Sequence, residues 1–234
     1  MIIKQMTVGP IMANCFILGC EDTHQAAVID PGDDADRILQ VLAAEQLTVA
    51  QIINTHGHFD HVADVASIAH RTGATVLSNF EIAQWFSQTK SVEKTIGMNL
   101  GGATTLPFGQ VKLTLAHHSS VLPDGANGGT PSGFLLTLAD GKVYFACDTA
   151  LFLDMKLIGT AGIDLAILPI GDFFTMGPDD SVEAVKLLNP RRVAPAHYNT
   201  FPPIQQDPHG WAERIKAHTS AEPIVIEPGD TISL

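Results

Sequence analysis

Between His56 and His61 the chain places three imidazoles and one carboxylate, in the string His56-Gly57-His58-Phe59-Asp60-His61. That density of ligating groups exceeds what packing requires and reads as the floor of a metal site. Residues two apart in an extended segment point the same way. His56 and His58 can therefore face one ion, with Gly57 permitting a tight backbone path between them. Asp60 and His61 lie just beyond, where the chain turns into a helix, and can reach a second ion. Phe59 is then a packing residue or a pocket wall. Imidazole and carboxylate donors together suit Zn²⁺, Fe²⁺ or Mn²⁺ without any thiolate.

The elements that must position these groups follow from apolar patterning. Ile2–Val8 and Asn14–Cys20 read as strands separated by Gly9-Pro10, and Ala26–Ile29 as a third that stops at the turn Asp30-Pro31-Gly32. Asp33 or Asp34 is placed to cap an amphipathic helix over 35–46, whose apolar face is Ala35, Ile38, Leu39, Leu42 and Ala43. Gln51–Asn54 is a short buried strand running into the histidine string. A helix with Val62, Val65, Ala66 and Ala69 on one face ends at Gly73. Thr75–Leu77 reads as strand, Glu81–Ser87 as helix and Lys90–Gly102 as loop. Val111–Ala116 is a strand, and 123–133 is a Gly/Pro/Asn-rich loop. Phe134–Leu138 and Lys142–Cys147 flank the hairpin signal Asp140-Gly141.

In the remainder, Leu151–Ile158 reads as a short helix and Leu165–Leu168 as a strand. A helix opens at Pro178 and stops at Asn189-Pro190. Arg192–Ala196 is a strand, a last helix surrounds Trp211, and Pro223–Ile226 and Thr231–Leu234 are closing strands. Strands followed by helices occur in both halves, which two mixed sheets with helices outside would satisfy. Four strand ends carry ligating residues: 51–54 leads to His56 and His58, 111–116 to His117-His118, 142–147 to Asp148, and 192–196 to His197. In layered α/β folds, ligand sites form where strand ends converge.

Composition narrows the function classes. The 234 residues suit one large domain over 1–234, long enough to bury a substantial core. A formal net charge of −12 with no Lys/Arg run disfavours a phosphate backbone as partner, so no nucleic acid is expected. Cys15, Cys20 and Cys147 show no zinc-like spacing and read as reduced thiols. No apolar run approaches the ~20 residues of a membrane span. The first residues read as strand, so no signal peptide and a cytoplasmic location are expected.

The string His-x-His-x-Asp-His, followed by distant His, Asp and His, resembles the metallo-β-lactamase-fold hydrolase superfamily along essentially the whole chain. The resemblance implies an α/β fold, a four-layer αββα sandwich, with a dinuclear metal site at one edge. It implies that His56, His58 and His118 hold the first metal, that Asp60, His61 and His197 hold the second, and that Asp148 bridges both. Strand alternation does not choose between His117 and His118. The resemblance places the ligand immediately before Ser119-Ser120. Two branches are represented. Residues 1–60, with Thr7-Val8-Gly9-Pro10 and Ile29-Asp30-Pro31-Gly32-Asp33, resemble glyoxalase II-like hydrolases. Residues 64–208, with Pro169-Ile170-Gly171-Asp172 and His197-Tyr198-Asn199-Thr200-Phe201-Pro202, resemble the uncharacterised metal-dependent hydrolases. A recombined, engineered or early-branching chain would show such a pattern.

The expected chemistry is hydrolysis. Two ions sharing a water lower its pKa toward neutrality, and the resulting hydroxide attacks an ester, thioester, lactone, phosphodiester or β-lactam. Zinc is the expected metal, with manganese or iron as alternatives. Asp60 is placed to hydrogen-bond the nucleophilic water. Tyr198 is either a donor to the developing oxyanion or a packing residue with a satisfied hydroxyl. Asp172 is either an orienter of a ligand histidine or a turn cap, Ser119 and Thr149 are candidate supporting residues, and Asn199 and Thr200 fix their loop. His24, His70, His209 and His218 read as surface residues. The N-terminal resemblance points to a thioester such as S-lactoylglutathione. However, glyoxalase II carries a C-terminal helical glutathione-binding domain, whereas the segment following His197 reads as one helix and two short strands, so a glutathione pocket of that kind is not expected. The other readings are an iron-dependent oxidoreductase resembling persulfide dioxygenases and a non-catalytic metal-binding protein. The expected partner is a small-molecule substrate, with no membrane, and a homodimer is compatible with the apolar loops 119–133 and 172–177.

Overall fold

A computed structural model describes residues 1–234. Its contacts resolve into two compact units. One comprises Met1–Gly102, Ser119–Pro131 and Pro228–Ser233, and the other Ala103–His118, Ser132–Glu227 and Leu234.

The first unit is built on a seven-stranded mixed sheet. β1 (Ile2–Val8), β2 (Ala13–Cys20) and β3 (Gln25–Ile29) pair antiparallel. β4 (Thr48–Ile53), β5 (Thr75–Asn79) and β6 (Thr95–Met98) continue the sheet from β3 in parallel. Parallel neighbours need crossovers. These are α1 (Ala35–Ala44), then α2 (Phe59–Val62) with α3 (Val65–Thr72), then α4 (Phe80–Thr89). Alternate strand residues Ile17, Val28, Ile52 and Val76 pack with Ile38, Leu42, Val65, Ile68, Ile82 and Phe86 of the helices. Each crossover returns the chain in the same direction, so β3, β4 and β5 end at one edge, at Asp30, at the histidine string and at Asn79.

The second unit repeats the plan. β7 (Ala103–Leu106), β8 (Gly109–Leu115), β9 (Ser132–Leu138) and β10 (Gly141–Phe145) are antiparallel. β11 (Leu165–Pro169), β12 (Arg192–Ala196) and β13 (Glu222–Pro223) follow in parallel from β10. The crossovers are α5 (Met155–Gly159), α6 (Pro178–Leu188) and α7 (Pro208–His218). Their core sets Tyr144, Leu168 and Val193 against Met155, Val185 and Trp211. β8 runs in the same direction as β10, so His117-His118, Asp148, Asp172 and His197 all follow strands at one edge of this sheet. β14 (Thr231–Ser233) returns to pair with β1 in the first unit.

Four expectations need correction. The segment 90–102 is not all loop, because Thr95–Met98 pairs with β5 despite its short length and the glycine, Gly97, inside it. The helix expected from Leu151 begins only at Met155, and the strand expected over 223–226 is confined to Glu222–Pro223. Neither Asp33 nor Asp34 caps α1. Asp34 sits in the left-handed region (φ 59°) and its carboxylate accepts from Gly9 N instead. The cap comes from Asp64, whose Oδ2 accepts from Ala35 N at 2.7 Å. No helix is long and apolar enough to cross a membrane.

Candidate metal centre

In the first unit the histidine string leaves β4 as extended chain and then closes into α2 (His58 φ −64°, ψ 146°). His56 and His58 do face the same way: His56 Nε2 and His58 Nδ1 are 2.9 Å apart. The rings of His56 and His61 approach to 4.2 Å between centroids. Asp60 Oδ2 lies 3.4 Å from His61 Nε2. Phe59 is exposed.

The organiser of this cluster is Asp30, which the sequence presents only as the start of a turn. Its carboxylate is 4% exposed. Oδ1 accepts from Thr55 N at 2.8 Å and Asn54 Nδ2 at 3.1 Å. Oδ2 accepts from Thr55 Oγ1 at 2.6 Å and faces His61 Nδ1 at 2.9 Å. A hydroxyl has one proton to give. Because Thr55 gives its proton to Asp30, its oxygen must accept from His56 Nδ1, 2.9 Å away. A single carboxylate thus fixes the Nδ1–H tautomer of both His56 and His61 and turns both Nε2 lone pairs to ligation, the arrangement that orients metal-bound histidines elsewhere. Asp30 Oδ, His56 and His61 each offer a ligand atom within 4.8 Å of the others. Asp30 is itself at φ 50°, and at Gly32, two residues on, an added Cβ would overlap the Asp60 carbonyl oxygen. The run Asp30-Pro31-Gly32 is therefore a site element as well as a turn, and its position at a strand end was the available signal.

The loop 119–131 supports the same cluster. Ser119 Oγ stands 3.1 Å from His58 Nε2, which leaves Nδ1 as that ring's inward atom. Ser120 Oγ accepts from Gly57 N at 3.0 Å. Asn79 ties the loop to α4: its Oδ1 caps Ile82 N, and its Nδ2 donates to Gly128 O and Thr130 O. Trp85 Nε1 donates to Asp124, whose carboxyl is held below its usual range first by that bond. Cys15 is no ligand. Burial first, and then the nearby Asp30 charge, push its thiol far above the ordinary range.

In the second unit the candidate ligating residues are single and come from separate strands. Asp148 Oδ2 stands 3.3 Å from His197 Nε2 and 3.9 Å from His118 Nε2. His117 turns elsewhere: its ring stacks on Phe152 at 4.9 Å, and its backbone N–H donates to Thr149 Oγ1. Of the two adjacent histidines, His118 is therefore the one beside Asp148. Cys147 (φ 58°) and His197 (φ 53°) hold the left-handed conformation, which non-glycine residues adopt at a cost. Cys147 is half-buried.

Tyr198 packs beside the second core, and its hydroxyl donates to Ile226 O at 3.4 Å. Burial first, then the Glu227 charge, push its phenol up to about 12, so it keeps its proton at neutral pH. Asp172 is a turn residue: it lies at φ 59° and accepts from Phe173 N with its own Oδ1. Asn199 fixes its loop by accepting from Gln206 N. His24, His70, His209 and His218 are exposed, as expected.

The donor set is imidazole nitrogen and carboxylate oxygen, with the tautomers of His56 and His61 already set for ligation, and it fits a divalent ion of the zinc, manganese or iron kind. Residues 27–198 match the β-lactamase superfamily domain. A UPF0173 metal-dependent hydrolase of Thermus thermophilus is 43% identical over 91% of this chain and 93% of its own length. Another from Pyrobaculum calidifontis is 46% identical over 83% of this chain and 84% of its own length. Among solved structures, the metallo hydrolase Igni18 of the archaeon Ignicoccus hospitalis superposes with a TM-score of 0.82. It is 32% identical and covers 99% of this chain and 98% of that one. Since single relatives span nearly the whole chain, no junction between two sources is needed to explain the composite resemblance.

Proposed function

Because this chain belongs to the β-lactamase superfamily and its UPF0173 metal-dependent hydrolases, we propose that it hydrolyses a small-molecule substrate at two divalent ions. His56, His58 and His118 would hold one ion, Asp60, His61 and His197 the other, and Asp148 would serve both. The observation that carries this reading is the tautomer lock in the first unit. One buried carboxylate prepares two imidazoles for ligation, directly at His61 and through Thr55 at His56.

Ions bound there, zinc by preference, supply Lewis-acid polarisation and acidify a water toward neutrality. The chain's own groups do the rest. Asp60, half-buried beside His61, accepts a hydrogen bond from the attacking water and aims it. Tyr198, protonated at neutral pH, donates to the oxyanion when its bond to the Ile226 carbonyl is exchanged. A carbonyl substrate is favoured over a nucleic-acid phosphodiester because the chain's net charge of −12 repels polyanions. Thioesters remain within that class on the strength of the N-terminal resemblance.

The test is metal content by elemental analysis, alongside turnover of an aryl ester, a lactone, S-lactoylglutathione, a cephalosporin and an aryl phosphodiester. Two zinc or manganese ions per chain with turnover of a carbonyl substrate supports the proposal. One iron per chain with oxygen uptake replaces it with the oxidoreductase reading. Absence of metal after reconstitution sinks both.

A further inference from the structure

Within the second unit, the loop joining β11 to α6 exposes two adjacent aromatic rings. Phe173 is 74% and Phe174 48% exposed, against the general tendency of such rings to be buried. They form one cluster with Phe201: ring centroids are 4.7 Å apart for Phe173–Phe174 and 6.0 Å for Phe174–Phe201. The backbone beneath is strained. Asp172 (φ 59°) and Phe173 (φ 53°) are consecutive left-handed residues, an arrangement a bulky side chain resists. Sequence preference alone would bury these rings or relax this backbone, so the surrounding structure imposes the conformation.

The loop is anchored at both ends to segments that carry ligating residues. At its start, Ile170 N donates to Ala196 O, immediately before His197. Gly171 then lies so close to His197 that a Cβ would overlap the His197 carbonyl oxygen. Its own carbonyl accepts from Gln206 Nε2. At its end, Met176 N donates to Thr149 O, one residue after Asp148. Between these anchors the Asp172 carbonyl and carboxylate hold Thr175 N and Phe173 N. Phe201 belongs to the loop that begins at His197. The rings are thus fixed with respect to Asp148 and His197, and their outer faces are open.

From this placement we propose that Phe173, Phe174 and Phe201 form a wall that receives an aryl group of the substrate next to its reacting carbonyl. The inference rests on the hydrolase reading above and narrows its substrate to aromatic esters and their thioester or lactone counterparts. The area argues for a small ligand over a second copy of the chain. The two exposed rings present roughly 250 Å² of surface, whereas a stable dimer buries about 800 Å² per partner. An aryl group is matched to the former.

The experiment compares the wild-type protein with F173S/F174S, and with Phe201→Leu as a milder change in case the double variant folds poorly. Two readouts are taken. One is binding of 1-naphthol, followed by its fluorescence on protein without added metal. The other is the ratio of kcat/KM for 1-naphthyl acetate to that for methyl acetate on metal-loaded protein. The double variant is expected to weaken naphthol binding and lower the ester ratio, each about tenfold, with Phe201→Leu in between. No naphthol binding by the wild type, an unchanged Kd in the variants, or an unchanged ester ratio overturns the wall. A wild-type dimer that F173S/F174S converts to a monomer in sedimentation velocity, with naphthol binding unchanged, assigns the rings to a second copy and also overturns it. If the wild type turns over neither ester yet binds naphthol through these rings, the ester reading fails and the wall stands.

Discussion

The two units supply candidate ligating residues by opposite means. In the first, four come from one contiguous string, and a single buried carboxylate, Asp30, orients two of them, His56 through Thr55 and His61 directly. In the second, His118, Asp148 and His197 come from three different strands, and backbone does the positioning: sheet register, two left-handed residues and the packing of Gly171 on His197. A contiguous motif can be locked by side chains that are local in sequence. A dispersed one must be locked by the sheet itself. Apart from deletion of a candidate ligand itself, the first arrangement should therefore fail when a supporting side chain is removed, and the second by steric intrusion into the backbone.

The largest effect is expected at Asp148, the one carboxylate beside both His118 and His197. Asp148→Ala should drop metal content and turnover together to background, and elemental analysis finding two ions per variant chain would show that it does not serve both. Next comes Asp30→Asn. An amide has one accepting oxygen and a donating NH2 where the carboxylate has two acceptors, so the tautomer lock fails, and metal affinity should fall roughly 10–100-fold. Thr55→Val breaks only the His56 branch and should fall less. Equal losses in the two titrations would mean the relay through Thr55 is not the cause.

Gly171→Ala probes the backbone side of the comparison. Overlap with the His197 carbonyl should cost about 1–3 kcal/mol, a fall in Tm of roughly 2–12 °C for a domain of this size. An unchanged melting curve would mean the packing there is slack. The smallest effect belongs to His117→Ala, which removes a stack on Phe152 worth about 1 kcal/mol and should keep its metal. His118→Ala should lose metal, and the reverse ranking in metal content would move the ligating position by one residue.

Much of the first unit was legible because its information is local. The spacing of His56, His58, Asp60 and His61 specifies both ligand type and direction, and the helices that follow carry their own apolar periodicity. Asp30 was not legible as a site residue, since Asp-Pro-Gly is also what an ordinary turn uses. Its role exists only because β3 and β4 are parallel neighbours and end together. The strand at Thr95–Met98 is hidden for a related reason: only its pairing with β5 stabilises so short a segment with a glycine inside it. Asp64 as the cap of α1 is likewise a contact across 29 positions that no window of sequence contains.

By itself the sequence determined the donor chemistry, the strand-end placement of the ligating residues and the alternation of strands and helices. These follow from side-chain type and from periods of two and 3.6 residues, which are local properties. Tertiary structure alone decided that His118 stands beside Asp148 while His117 stacks on Phe152, that Asp30 sets two tautomers, and that Phe173 and Phe174 are held outward. Each depends on which strands are neighbours and on backbone conformations that local preference opposes. Only the packing of the whole sheet supplies the energy to impose them.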